Sequence, residues 1–227
     1  YYIISNIPPK GKLISVDTMT NASSTEGISL HHISVSDLDN NCYLLTTESD
    51  EGTQGLLIDA ADNAPALLDL AESAGARITA VVTTHRHFDH VRALEDVLDT
   101  TKATHFASLG DSPRLPRSAD TTLGEGDTLH WAGHSLRAHI LRGHTQEGLA
   151  LSIKIDGIYH LFVGDSLFPG GVGKTSTPEE FNQLLSDVKT RLFDVYPDTA
   201  VVHPGHGKPT TLGTERPHLE QWRQRGW

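Results

Sequence analysis

The stretch that most limits what this chain can become is Thr83-Thr84-His85-Arg86-His87-Phe88-Asp89-His90-Val91. The run before it, Ile78-Thr79-Ala80-Val81-Val82, is apolar and β-branched and reads as a buried strand. The run after it, Val91 to Leu98, spaces Val91, Leu94, Val97 and Leu98 along one face of a helix. Three imidazoles and a carboxylate therefore crowd one strand-to-helix turn. In an extended segment His85 and His87 project to the same side and can converge on one ion. Asp89 and His90 fall where the helix begins, so the four groups could serve two neighbouring ions. Nitrogen and oxygen donors of this kind suit a divalent metal at about 2.0–2.2 Å.

The flanking sequence supplies a core large enough to hold such a turn. Strands are expected at Ile28–Ile33, Cys42–Thr47, Gly55–Asp59 and Ile78–Val82, with a helix from Ala64 to Ala74 that Gly75 can end. From Thr104 to Asp127 the glycines and prolines point to loops over short strands. Strand character returns at His130-Trp131 and Leu136–Leu141. Leu149–Ile153 and Ile158–Val163 read as a hairpin around Asp156-Gly157. Thr177-Pro178-Glu179-Glu180 is a capping-box pattern opening a helix with Phe181, Leu184, Leu185, Val188 and Leu192 on its apolar face. Ala200–Val202 is a further buried strand and Glu215 to Trp222 a closing helix. This pattern alone leaves α/β and α+β open.

Three more polar residues stand at strand exits, each directly after a glycine: His144 after Gly143, Asp165 after Gly164 and His206 after Gly205. A glycine there lets the backbone turn sharply and bring a side chain close to an ion. His203 belongs to the end of its strand and is a candidate neighbour of the His206 position. His31, His32, His105, His130, His134, His139, His160 and His218 lack such settings and read as core or surface histidines.

The His-x-His-x-Asp-His turn, with His144, Asp165 and His206 in that order, resembles the metallo-β-lactamase-fold hydrolases. The resemblance implies an α+β fold, an αββα sandwich of two mixed sheets with helices on the outer faces. It implies that His85, His87 and His144 hold one metal, that Asp89, His90 and His206 hold a second, and that Asp165 bridges both. Two divalent ions are then the expected cofactors, with zinc the first expectation and iron or manganese also suited to the His/Asp set. Asp89 is the residue expected to take and return a proton.

Within the superfamily, Gly164–Phe168 followed by Gly171–Thr175 looks most like glyoxalase II, the hydroxyacylglutathione hydrolase branch. That similarity implies hydrolysis of a thioester, with Lys174 and Phe168 as substrate contacts. Cys42 comes too early to be the cysteine ligand of some β-lactamases. The lactonases usually carry a tyrosine where Phe168 stands. Lactonase- or lactamase-like hydrolysis is nonetheless an alternative, and so is a persulfide dioxygenase built on a single iron. A metal-stabilised binding module is a third reading. No Gly-x-Ser-x-Gly elbow is present.

Charge and composition narrow the partners. A formal net charge of -11 over 227 residues argues against nucleic acid. No stretch reaches the ~18 apolar residues of a membrane span. A single cysteine excludes an intramolecular disulfide framework and makes the cytoplasm the default expectation. The expected partner is a small-molecule substrate, and the expected state a monomer or homodimer. Residues 1–18, ahead of Met19, read as a tag or processed leader. Residues 19–227 read as one catalytic domain without the helical glutathione-binding domain of glyoxalase II.

Overall fold

Alternating and continuous apolar runs decide the layers. The structure, a computed structural model, describes residues 27–226, so the leader expected at 1–18 lies outside the described residues. β1 (Ile28–Val35), β2 (Asn40–Thr47), β3 (Gln54–Ile58), β4 (Arg77–Val82), β5 (Thr104–Ser108) and β6 (Thr121–Leu123) form one sheet in that order. Its first two pairings are antiparallel and its last three parallel. β7 (Thr128–Trp131), β8 (His134–Leu141), β9 (Gly148–Ile155) and β10 (Ile158–Gly164) continue the chain into a second sheet. A small hairpin of β11 (Leu167–Phe168) and β12 (Gly171–Val172) follows, then β13 (Val201–Pro204) and β14 (Thr210–Thr211), giving the order β14-β13-β10-β9-β8-β7. Only β10–β13 is parallel in that sheet.

Period-two alternation sends neighbouring residues into different cores. In β2, Leu44 packs on the outer face against Leu67 and Ala71 of α1 (Ala64–Ser73) and Leu94, Val97 and Leu98 of α2 (Leu94–Thr101). Its neighbours Tyr43 and Leu45 turn inward to meet Leu136, Leu151 and Phe162 between the sheets. The far face of the second sheet, with Leu161, Val163 and Val202, is covered by Phe181, Leu184 and Val188 of α3 (Pro178–Val188) and by Trp222. Three apolar layers between four structural ones make the αββα sandwich. Central strands buried on both faces explain why they read as apolar runs rather than as clean alternation.

Several boundaries differ from the sequence reading. The helix expected from Val91 begins at Leu94; Phe88–His90 is a single 3₁₀ turn. The N–H groups of Arg92 and Ala93 donate to Ala61 and Ala60 carbonyls, which keeps 91–93 out of the helix. The single closing helix is divided into α4 (Leu212–Glu215), a 3₁₀ turn carrying Pro217, and α5 (Leu219–Arg225). The capping box at Thr177 is present, with both reciprocal bonds made. At the β9–β10 hairpin Asp156 and Gly157 both have positive φ, 49° and 84°, as a twist-matched two-residue turn requires. Among the described residues no helix is long and apolar enough to cross a membrane.

β3, β4 and β5 run parallel, and β8, β10 and β13 share one direction in the second sheet. Their exits therefore gather at one end. Two backbone hydrogen bonds join the sheets there, Leu149 N to the Thr84 carbonyl (2.7 Å) and Asn41 N to the Gly205 carbonyl (2.8 Å).

Candidate active site

All seven residues singled out in sequence meet at this end. The ring nitrogens of His85, His87 and His144 lie within 4.8 Å of one another, as do the donor atoms of Asp89, His90 and His206. A third group, His85, His90 and Asp165, links the two. Asp165 Oδ1 is 3.4 Å from His90 Nε2, and its Oδ2 is 3.5 Å from both His144 Nε2 and His206 Nε2. The carboxylate thus stands between the two triads.

Two glycines let Asp165 and His206 approach. Gly164 has φ +50°, and a side chain there would strike Thr84 Oγ1. A methyl on Gly205 would overlap the Asp165 carboxylate and come 2.7 Å from His90 Cε1.

The outward side of each imidazole shows how the inward side is set. His90 Nδ1 donates to Asp59 Oδ2 (2.9 Å), His144 Nδ1 to the Lys174 carbonyl (2.7 Å) and His206 Nδ1 to the Leu38 carbonyl (2.8 Å). His85 Nδ1 donates to Thr84 Oγ1 (3.1 Å), whose own proton is committed to Asp59 Oδ2 (2.7 Å). An imidazole that donates from Nδ1 offers a lone pair at Nε2 once the ring is neutral, so four Nε2 atoms are turned inward as potential metal donors. Of these, His85 Nε2 and His144 Nε2 are buried without a hydrogen-bond partner, and so is Asp165 Oδ1. Orphaned buried acceptors cost about 1–3 kcal/mol each, and the three belong to two adjoining donor groups, His85/His87/His144 and His85/His90/Asp165, in which cations would satisfy them. The donor set is nitrogen and carboxylate oxygen, so it fits a divalent metal.

Charges in the site are divided accordingly. Burial holds His85 well below its ordinary range, and His87 is lowered by burial and by its histidine neighbours. For His90 burial is the largest influence and lowers it. The Asp165 and Asp59 carboxylates together outweigh burial and push it up to about 10, so a metal at its Nε2 would displace a proton. His206 is raised chiefly by the Asp165 carboxylate 3.5 Å away. For Asp165 and Asp89 burial acts upward, but histidine partners, and for Asp89 chiefly the Asn40 amide, hold both carboxyls below the usual range.

Three supporting residues escaped the sequence reading. Asp59, at the exit of β3, accepts from Thr84 N, Thr84 Oγ1 and His90 Nδ1 and is almost fully buried. Its only sequence signal was a carboxylate closing an apolar strand. Asn40 Nδ2 donates to Asp89 Oδ2 (3.0 Å), fixing that carboxylate from the far side. Asp111 accepts the backbone N–H of Arg86 (3.1 Å) and its guanidinium (3.0 Å), which clasps the turn between His85 and His87.

The weaker candidates are placed less decisively. The Lys174 side chain is exposed, and its carbonyl is what holds His144. Phe168 is half-buried in the β11–β12 hairpin beside the Asp165 loop. His203 does not join the cluster; it is buried against Phe162 and Tyr43 and bonded to His160 (2.9 Å). Cys42 is buried and its thiol pushed up to about 12, chiefly by burial, so it offers no thiolate at neutral pH.

An αββα sandwich with imidazoles and carboxylates collected at its strand exits defines a metal-centred catalytic fold. The Metallo-beta-lactamase superfamily profile matches residues 35–206, and the chain belongs to that superfamily. It is 34% identical over 154 residues to the hydroxyacylglutathione hydrolase of Synechococcus sp. (strain JA-2-3B'a(2-13)). That match covers 66% of this chain and 59% of the relative, so the chain spans less than two thirds of that protein's length. An uncharacterized protein of Mycobacterium bovis is 28% identical over 210 residues, covering 79% of this chain and 92% of that one. Among solved structures, TTHA1623 in a di-iron-bound form superposes with a TM-score of 0.65 at 28% identity, covering 82% of this chain and 96% of that one.

Proposed function

We propose that this chain is a metal-dependent hydrolase that cleaves an activated carbonyl, with a thioester as its first substrate class. His85, His87 and His144 would hold one divalent ion, Asp89, His90 and His206 a second, and Asp165 would stand between them. Zinc is the first expectation, and iron suits the same donors. Bound there, such ions would lower the pKa of a water toward ~7 and polarise the substrate carbonyl. The observation that carries the reading is the outward anchoring of four Nδ1 atoms, which turns four Nε2 atoms and an unpartnered carboxylate oxygen into two adjoining donor groups.

The chain's own groups divide the remaining work. Asp89, held by Asn40 on one side and 3.3 Å from His206 Nε2 on the other, is placed to accept a proton from water and return it to the leaving group. Asp59 fixes the tautomer of His90 and, through Thr84, that of His85. Lys174 and Phe168 flank the site as substrate contacts. The similarity to hydroxyacylglutathione hydrolases supports a thioester over a lactone.

A single-iron dioxygenase would need two histidines and one carboxylate, which leaves the second triad idle. Metal content of protein purified without added metal, measured beside thioester and lactone turnover, tests the proposal. About two ions per chain with thioester hydrolysis supports it. One tightly held iron with oxygen uptake and no hydrolysis refutes it.

A further inference from the structure

Of the seven site residues, His206 alone has a glycine on each side, Gly205 and Gly207, and Gly207 has φ +69°. Glycine has the most conformational freedom to lose, so such a segment keeps one geometry only where other groups tie it down. The Gly205 N–H donates to the Gly164 carbonyl (2.8 Å) and the His206 Nδ1–H to the Leu38 carbonyl (2.8 Å). The Tyr43 hydroxyl donates to the Pro204 carbonyl (2.8 Å). The other ties converge on one residue of β2. Asn41 N–H donates to the Gly205 carbonyl (2.8 Å), and Asn41 Nδ2 donates to the Pro204 and Gly207 carbonyls, both at 2.9 Å. Asn41 thus holds three of the four carbonyls from Pro204 to Gly207.

The chemistry of these contacts leaves the Asn41 amide one orientation. Carbonyl oxygens only accept, so the NH2 group must face Pro204 and Gly207, with one N–H spent on each. The amide oxygen then faces His32, whose Nε2–H donates to it at 2.8 Å. Asn41 is almost fully buried, and through these bonds it acts on His206 by way of the backbone. Neighbouring strand residues point to opposite faces, and the Asn40 amide goes to the Asp89 carboxylate instead. Consecutive asparagines of β2 therefore support two of the three residues in the second donor group.

We infer that Asn41 is a positioning residue for the second ion: it locks the Pro204–Gly207 loop so that His206 Nε2 stays beside Asp89 and His90. This rests on the two-ion reading above and adds to it a residue that supplies no donor atom itself. An aspartate at this position would keep the shape of the side chain but set a carboxylate oxygen against two carbonyl oxygens, and the loop would have to move away. His85, His87 and His144 lie on other loops, so the loss falls on one site. Losing the outer support of a ligand costs about 10–100-fold in affinity, and the first site should stay within about threefold.

Zinc titration against a competing chelator, resolving two constants, is read beside amide hydrogen exchange of the metal-free protein. In Asn41→Asp one constant should fall about 10–100-fold, the same one that His206→Ala abolishes. Without metal, the Gly205 N–H should exchange at least about tenfold faster relative to amides of β9, which sit at the centre of the second sheet. Equal falls in both constants, or a Gly205 amide that quickens no more than β9, overturn the positioning role. Should Asn41→Asp not fold, the exposed His32 gives the same test. His32→Gln keeps a donor toward the Asn41 oxygen and should leave both constants as in the parent. His32→Glu offers only an acceptor there and should weaken the second ion about threefold or more, although it adds negative charge. Equal behaviour of the two variants overturns the inference. Two zinc constants in the parent without thioester turnover overturn the hydrolase, and the variant constants still decide the role of Asn41. A parent that takes up one zinc overturns the two-ion reading, and amide exchange then decides the loop lock alone.

Discussion

Substituting Asp59 by Asn isolates the outward anchoring on which the proposed metal centre depends. In the native arrangement Oδ1 accepts from Thr84 N at 2.7 Å, and Oδ2 accepts from Thr84 Oγ1 at 2.7 Å and His90 Nδ1 at 2.9 Å. The amide keeps its oxygen for Thr84 N and so must present an NH2 group where Oδ2 stood. His90 can meet that donor only with an Nδ1 lone pair, which moves its proton to Nε2 and removes the inward donor. The second triad then falls from three donors to two. Losing one such supporting bond typically costs about 10–100-fold in metal affinity, or roughly 1.4–2.8 kcal/mol. Loss of the charged acceptor also costs the metal-free fold about 2–3 kcal/mol, roughly a 5–10 °C drop in Tm for a chain this size. Bound metal after dialysis against graded chelator, read beside circular-dichroism melting in excess chelator, measures both. The expected outcome is a second site, at Asp89, His90 and His206, weakened about 10–100-fold, with a lesser weakening of the first site, since the Thr84 hydroxyl that anchors His85 also loses its acceptor. Asp59→Asn holding two ions with affinities within about threefold of the parent would show that the tautomer argument is wrong.

Gly205→Ala places a methyl on the Asp165 carboxylate and against His90. It should lower kcat/KM by about 100-fold or more, since displacements near 1 Å at a reacting centre have that effect. Asp187 is buried and binds Arg142 N, Nε and Nη2 as well as Gln183, tying the segment before His144 to α3. Asp187→Ala leaves the Arg142 N–H without its acceptor, while the half-exposed guanidinium and Gln183 can turn to water, so it should cost about 1–3 kcal/mol in denaturant unfolding. Burial, then the charges of His160 and His32, push His203 down to about 3. Its folded value lies below the unfolded ~6.5, so the unfolded chain takes the proton first and stability falls as pH drops from 6.5 toward 3. That is about 2 kcal/mol by pH 5, and His203→Gln should remove that part of the acid limb when unfolding at pH 5 and pH 7 is compared in chelator. Lys174→Ala keeps the carbonyl that orients His144, so it should leave metal content unchanged while raising KM for anionic-thiol thioesters; metal loss instead would show the side chain supports the site.

Much of this centre was legible because its donors carry local signals. A β-branched run, a turn dense in imidazoles and a helical apolar face mark the His85–His90 segment, and a preceding glycine marks each of the three distant residues. The layer order was less legible. Leu44 and its neighbours Tyr43 and Leu45 face different cores, which a continuous apolar run cannot reveal. The late start of α2 was not legible at all, since the carbonyls of Ala60 and Ala61 that capture Arg92 and Ala93 belong to another loop.

The supporting layer was hidden for a more general reason. Of the four acceptors that orient the imidazoles, two are backbone carbonyls, at Leu38 and Lys174, and every residue type offers one. Side-chain identity therefore encodes which groups can donate to a metal, while topology encodes which way they point. Asp59 stands at the boundary between the two. Its carboxylate is visible in the sequence, but its partners Thr84 and His90 lie 25 and 31 residues away and reach it only because β3 and β4 are paired in parallel. A strand register shifted by one residue would turn Asp59 to the opposite face of the sheet, and both the His85 and the His90 anchors would go with it. The geometry of the candidate centre is thus a consequence of sheet registry as much as of its ligand residues.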